Sequence, residues 1–120
     1  MPTVLVVDDE PLIRSMVSTM LEQGGFAVIT AEDGPEAIRL SRTYSGQIDL
    51  VLTDVVMPEM SGHVLARELQ AENPTLPILL MSGHCERDEC APFSVLPKPF
   101  SVDSLLSSVR NALGQASSSA

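Results

Sequence analysis

The chain has 120 residues, 44% of them apolar and 19% charged, which fits one globular domain with its own core and excludes two domains or a disordered segment. A formal net charge of −9 argues against direct contact with nucleic acid or an anionic membrane surface, both of which need a basic footprint. No apolar run approaches the roughly 20 residues of a membrane span, and no basic, cleavable leader precedes the first strand, so the cytoplasm is the expected compartment.

Residues 3–7 form a continuous apolar run, the pattern of a strand buried on both faces. Pro11 opens a helical pattern with Leu12, Ile13, Met16, Val17, Met20 and Leu21 on one face, and Gly24-Gly25 stops it. Residues 26–31 read as the second strand. Gly34-Pro35 starts a second helix, with Ala37, Ile38 and Ser41 inward, and residues 48–53 form the third strand. Ser61 is a candidate N-cap for a third helix with Val64, Leu65 and Leu69 inward, ended by Asn73-Pro74. Residues 77–81 and 94–97 read as strands four and five. Ser101 caps a last helix carrying Val102, Leu105, Leu106, Val109 and Leu113, which Gly114 is expected to end. That gives a domain over 1–114 and a small polar tail, Gln115–Ala120, expected to be disordered.

Alternating strand and helix predicts an α/β fold: a doubly wound, five-stranded parallel sheet with right-handed crossovers. The stretch between Met81 and Ser94 is barely the dozen residues a parallel crossover needs, and Cys90-Ala91-Pro92 limits any helix in it. The fourth helix is therefore expected to be shortened or missing. Cys85 and Cys90 lie close together near His84; too few ligands surround them for a metal site, and free thiols are expected.

Ligands of such sheets bind at the carboxyl ends of the strands. Here the first run ends in Asp8-Asp9-Glu10, the third in Asp54, the fourth in Ser82-Gly83, and the fifth in Lys98, the chain's only lysine, held between two prolines. Adjacent carboxylates repel, and Mg²⁺ would offset that repulsion; a solvated acidic loop is the plainer alternative. Asp54 could act as a nucleophile that forms an acyl phosphate, or merely cap a turn. Ser82 could reach a phosphate oxygen. Lys98 is a compact charge suited to a phosphate or carboxylate at close range, and a cis Leu96–Pro97 peptide could aim it inward.

Taken together, Val6-Val7-Asp8-Asp9-Glu10, Asp54-Val55-Val56-Met57-Pro58 with Ser61-Gly62, Met81-Ser82-Gly83 and Lys98-Pro99-Phe100 make the chain resemble the receiver domains of two-component response regulators over residues 3–113. The resemblance implies the flavodoxin-like strand order 2-1-3-4-5. It also implies roles: Asp54 as phosphoacceptor, Asp9 as a direct Mg²⁺ ligand, Asp8 as a ligand acting largely through metal-bound water, and Val56 as a ligand through its backbone carbonyl. Ser82 would hydrogen-bond the phosphoryl group and Lys98 would pair with it. The expected activity is phosphoryl transfer from the phosphohistidine of a histidine kinase, in trans or on the same polypeptide, or of a histidine phosphotransfer protein. Such a domain is not an enzyme in the ordinary sense; it assists its own phosphorylation and dephosphorylation.

The chain departs from the family where an aromatic switch residue usually stands, a position held here by Val95. With the fourth helix shortened, the resemblance implies neither conventional aromatic signalling nor the common dimer through that face, and favours a monomer. His84 matches a position that tunes dephosphorylation in the family and could gate water there; a solvated loop histidine is the plainer alternative. Asp54-Val55-Val56-Met57-Pro58 and Leu96-Pro97-Lys98-Pro99-Phe100-Ser101 resemble receivers found at the C-terminus of hybrid histidine kinases, with a stand-alone receiver as the alternative. The alternative function is a receiver-like protein-interaction module that is not phosphorylated. An aspartyl-phosphate phosphatase is a weaker rival, because that chemistry usually has a second Asp where this chain has Val56.

Overall fold

In the computed structural model the described residues are 2–83 and 93–117, with side chains through Gly114. Five strands, β1 (Thr3–Val7), β2 (Ala27–Ala31), β3 (Leu50–Asp54), β4 (Ile78–Ser82) and β5 (Ser94–Pro97), pair in parallel in the order β2-β1-β3-β4-β5. The helices are α1 (Pro11–Gln23), α2 (Gly34–Thr43), α3 (Gly62–Glu72) and α4 (Val102–Ser117). None of them is long and apolar enough to cross a membrane. The expected short or missing helix between β4 and β5 falls on residues 84–92, outside the described residues, as do His84, Cys85 and Cys90.

Every residue of β1, β3 and β4 is buried, as the unbroken apolar runs predict for central strands covered on both faces. Because strand side chains alternate, each run feeds two cores. Val4, Val6, Leu50, Leu52, Leu79 and Met81 pack with Val17, Leu21, Leu105 and Val109 from α1 and α4. Leu5, Val7, Val51, Ile78 and Leu80 pack with Ala37, Leu65 and Leu69 from α2 and α3.

Several expectations need correction. In α1 the inward row is Ile13, Val17 and Leu21, with Met20 beside it, whereas Leu12 is 85% exposed and Met16 43% exposed. The apolar residues of α1 occupy two adjacent i, i+4 rows, and only one can face the sheet. Val64 and Val102 are likewise exposed, at the starts of α3 and α4 where the helices leave the core. β3 and β4 end one residue later than expected, at Asp54 and Ser82, because their C-terminal groups still pair: Asp54 is opposite Met81 and Ser82 opposite Pro97. β2 and β3 also begin later, at Ala27 and Leu50. Helix α4 runs through Gly114 to Ser117 instead of stopping there. A glycine terminates a helix when it turns left-handed, as Gly25 does after α1 with φ +94°, and Gly114 does not. Among the described residues the cis peptide is Lys98–Pro99, not Leu96–Pro97; Pro97 is the last paired residue of β5.

Candidate functional site

The carboxyl ends of β1, β3, β4 and β5 lie side by side at one edge of the sheet. The first of them delivers Asp8, only 1% exposed. Its N–H prolongs the ladder by donating to the Ala31 carbonyl at 3.2 Å, its carbonyl accepts from Arg14 Nη1 at 2.7 Å, and its Oδ1 accepts the Glu10 N–H at 2.9 Å. Its other oxygen, Oδ2, is buried without a partner. Asp9 follows, exposed.

β3 ends in Asp54, which is buried. Lys98 Nζ donates to Asp54 Oδ2 at 3.1 Å, and the Val56 N–H approaches Oδ1 at 3.4 Å, a long contact. The Asp54 carbonyl accepts the Thr53 hydroxyl at 3.0 Å. On that carbonyl's far side sits Gly62, the first residue of α3: a Cβ there would lie 2.3 Å from the Asp54 oxygen. Helix α3 therefore rests on the peptide that carries Asp54, and only a residue without a side chain permits that approach. Ser61 caps the helix, accepting the Val64 N–H at 3.3 Å. Val56 itself is exposed in the intervening loop, and Glu59 in the same loop takes a left-handed φ of +69°.

β4 contributes Ser82, buried, whose carbonyl accepts the Lys98 N–H at 2.8 Å. That bond fixes where the lysine leaves β5. The sequence reading's Asp8, Asp9, Asp54 and Lys98 are thus brought together, with Ser82 on the adjoining strand end.

The electrostatics of the pocket are unbalanced. Carboxylate oxygens of Asp8, Asp9 and Asp54 all lie within 4.8 Å of one another. Burial pushes the Asp8 carboxyl above its ordinary range, opposed by the Glu10 N–H bond; the Asp54 charge raises it further, Lys98 lowers it, and Asp9 adds a smaller upward push. Three carboxylates facing one ammonium leave excess negative charge, and the unpartnered Asp8 Oδ2 is a lone pair awaiting a donor or a cation. Oxygen donors of this kind suit a hard divalent ion, so the residues fit a metal.

Arg14, Thr53 and Gly62 were not singled out by sequence reasoning as supports of the site. A signal existed for Arg14, since a cation near a helix N-terminus opposes the helix dipole. Gly62 stands inside a quoted motif, but its contact with Asp54 depends on how α3 docks.

A doubly wound parallel sheet with an acidic pocket and a lysine at its carboxyl edge defines a class of phosphoacceptor signalling modules. The chain matches the response regulator receiver domain family over residues 4–110 and belongs to it, as a receiver domain of two-component systems. It is 38% identical over 117 residues to the sensor kinase CckA of Brucella abortus, covering 92% of this chain and 12% of that one. It is equally identical over 117 residues to the probable transcriptional regulatory protein TcrX of Mycobacterium tuberculosis, covering 92% of this chain and 49% of that one. The chain therefore spans half or less of these relatives. A response regulator receiver domain from Clostridium thermocellum superposes over 100% of both chains with a TM-score of 0.91 at 28% identity.

Proposed function

We propose that Asp54 accepts a phosphoryl group from the phosphohistidine of a histidine kinase or histidine phosphotransfer protein. The observation that carries this reading is the placement of Lys98 Nζ 3.1 Å from Asp54 Oδ2, beside a buried carboxylate oxygen with no partner. An Asp54 oxygen forms the new bond to phosphorus as the bond from phosphorus to the donor imidazole nitrogen breaks, and that nitrogen leaves with the electron pair. Asp8, Asp9, Asp54 and the Val56 backbone carbonyl would hold Mg²⁺, which when bound would supply positive charge to offset that of the phosphoryl group. Lys98 moves from Asp54 to the incoming phosphoryl group, exchanging one anionic partner for another. Ser82 donates its hydroxyl to a phosphoryl oxygen. Catalysis on this reading is positioning and charge stabilisation, and the donor leaves as neutral imidazole because its other ring nitrogen carries the proton.

Similarity to the sensor kinase CckA, and to a solved receiver domain from the hybrid histidine kinase CckA, supports a receiver that serves a hybrid histidine kinase, with its donor on the same polypeptide or in trans. We take the receiver unit to extend past residue 114 to the end of α4 at Ser117, acting as a monomer in the cytoplasm. The experiment is intact mass after incubation with acetyl phosphate and Mg²⁺. Wild type should gain one phosphoryl group; Asp54→Asn and a chelator-treated sample should gain none. Labelling that persists in Asp54→Asn, or a wild type that stays unlabelled by both acetyl phosphate and a phosphorylated kinase, refutes the assignment.

A further inference from the structure

Arg14 sits near the start of α1, and its Nη1 donates to the Asp8 carbonyl at 2.7 Å. A charged donor at that distance makes a strong bond. A cation near the N-terminus faces the positive end of the dipole, and the acid beside it is Glu10 at the N-cap, with none inside the first turn of α1. What the Arg14 bond secures lies outside the helix, at the Asp8 carbonyl.

The carbonyl it holds belongs to the peptide joining Asp8 to Asp9. Fixing that oxygen fixes ψ of Asp8 and φ of Asp9, and so the direction in which the Asp9 side chain leaves the backbone. The rest of Asp8 is tied as well, through its N–H to Ala31 and its Oδ1 to the Glu10 N–H. Only Oδ2 is left over, buried and pointing at no donor.

We propose that Arg14 is a positioning residue for cation binding: it clamps the Asp8–Asp9 peptide and so holds two carboxylates in the arrangement that receives Mg²⁺. The inference rests on the reading of this pocket as an Mg²⁺ site. Arg14 acts through Asp8 and Asp9 and touches neither ion nor phosphoryl group.

The sign of its effect separates this role from a simple charge effect. A guanidinium near an acidic pocket repels a cation, so if Arg14 contributed charge alone, removing it would tighten Mg²⁺ binding. A clamp predicts the reverse. Arg14→Met keeps the aliphatic stem and loses the donor; the Mg²⁺ Kd of the full chain, read by titration calorimetry, should rise by about tenfold, the usual scale for a group that orients a metal ligand. Arg14→Lys keeps the charge without the planar fork, and its Kd should fall between those of wild type and Arg14→Met. Thermal unfolding without Mg²⁺ runs alongside, since a purely structural role would lower stability and leave the Kd of the folded protein unchanged. If wild type binds Mg²⁺ and Asp9→Asn does not, then an unchanged or tighter Kd in Arg14→Met overturns the clamp and leaves the site reading intact. Absence of binding by wild type overturns both. Should Arg14→Met fail to fold, Arg14→Lys decides: a raised Kd supports the clamp, and a Kd at or below wild type overturns it.

Discussion

Replacing Gly62 with alanine sets two effects against each other. Alanine is the better helix former by about 1 kcal/mol, and Gly62 is the first residue of α3. Its new Cβ would lie 2.3 Å from the Asp54 carbonyl oxygen and 3.0 Å from both the Asp54 carbonyl carbon and the Val55 Cα. All three are backbone atoms, so no side chain can rotate away; helix or strand end must move by a large fraction of an ångström. Overpacking of this kind costs about 1–3 kcal/mol, and at the first helical position the propensity gain is only partly realised. Gly62→Ala should therefore lower stability by about 1–2 kcal/mol in urea unfolding followed by circular dichroism. Because the displaced carbonyl belongs to Asp54, phosphorylation by acetyl phosphate should slow as well. Gly114→Ala is the control. Gly114 lies within α4, its φ is not left-handed, and nothing lies within 4 Å of an added Cβ, so alanine should stabilise by about 0.5–1 kcal/mol. A Gly62→Ala protein as stable as wild type, or a shift of the same sign in both variants, would refute the claim that α3 rests on the Asp54 peptide.

Two further outcomes concern the same edge. Burial raises the Asp8 carboxyl in the fold, so the folded state holds the proton more tightly than the unfolded chain does. The stability due to this group is full below the unfolded value of about 3.9 and is lost as pH rises through the raised folded value. Asp8→Asn should remove that part of the pH profile, stabilise the metal-free protein at neutral pH by about 1–3 kcal/mol, and abolish stabilisation by Mg²⁺; thermal unfolding across pH, with and without Mg²⁺, checks all three. Glu59 holds a left-handed φ of +69°, a conformation that costs a side-chain-bearing residue about 1–2 kcal/mol. Glu59→Gly, after allowing for the greater freedom of glycine in the unfolded chain, should stabilise by about 0.5–1 kcal/mol, and a loss of stability in urea unfolding would show that the Glu59 side chain makes a compensating contact.

The sequence disclosed what depends on local pattern. Val4–Val7 and Leu50–Thr53 read as central strands because an unbroken apolar run is tolerable only when both faces are covered. The charges that end those runs marked the functional edge for the same reason: they are the first polar groups after the sheet. What stayed hidden depends on docking. Rows 12–16 and 13–17 of α1 are equally apolar, and only the sheet's position decides that Ile13 and Val17 face it. Gly25 and Gly114 are the same residue with opposite consequences, separated by a dihedral angle. Arg14 reaches a backbone oxygen six residues away, and no periodicity encodes such a bond.

Three backbone bonds hold the site's parts in mutual register: Asp8 N–H to the Ala31 carbonyl, Val55 N–H to the Met81 carbonyl, and Lys98 N–H to the Ser82 carbonyl. Each lies at or just past a strand end, so the distances among Asp8, Asp54 and Lys98 follow from sheet register. A slip of one residue would turn these side chains to the opposite face, which the two apolar cores forbid. The cores thus give the pocket its rigidity, while the pocket sets three carboxylates around one ion pair and leaves a buried oxygen unpaired. Stability and binding are opposed at one atom. The change that most relieves the metal-free fold, neutralising Asp8, should also be the one that removes the protein's response to a cation.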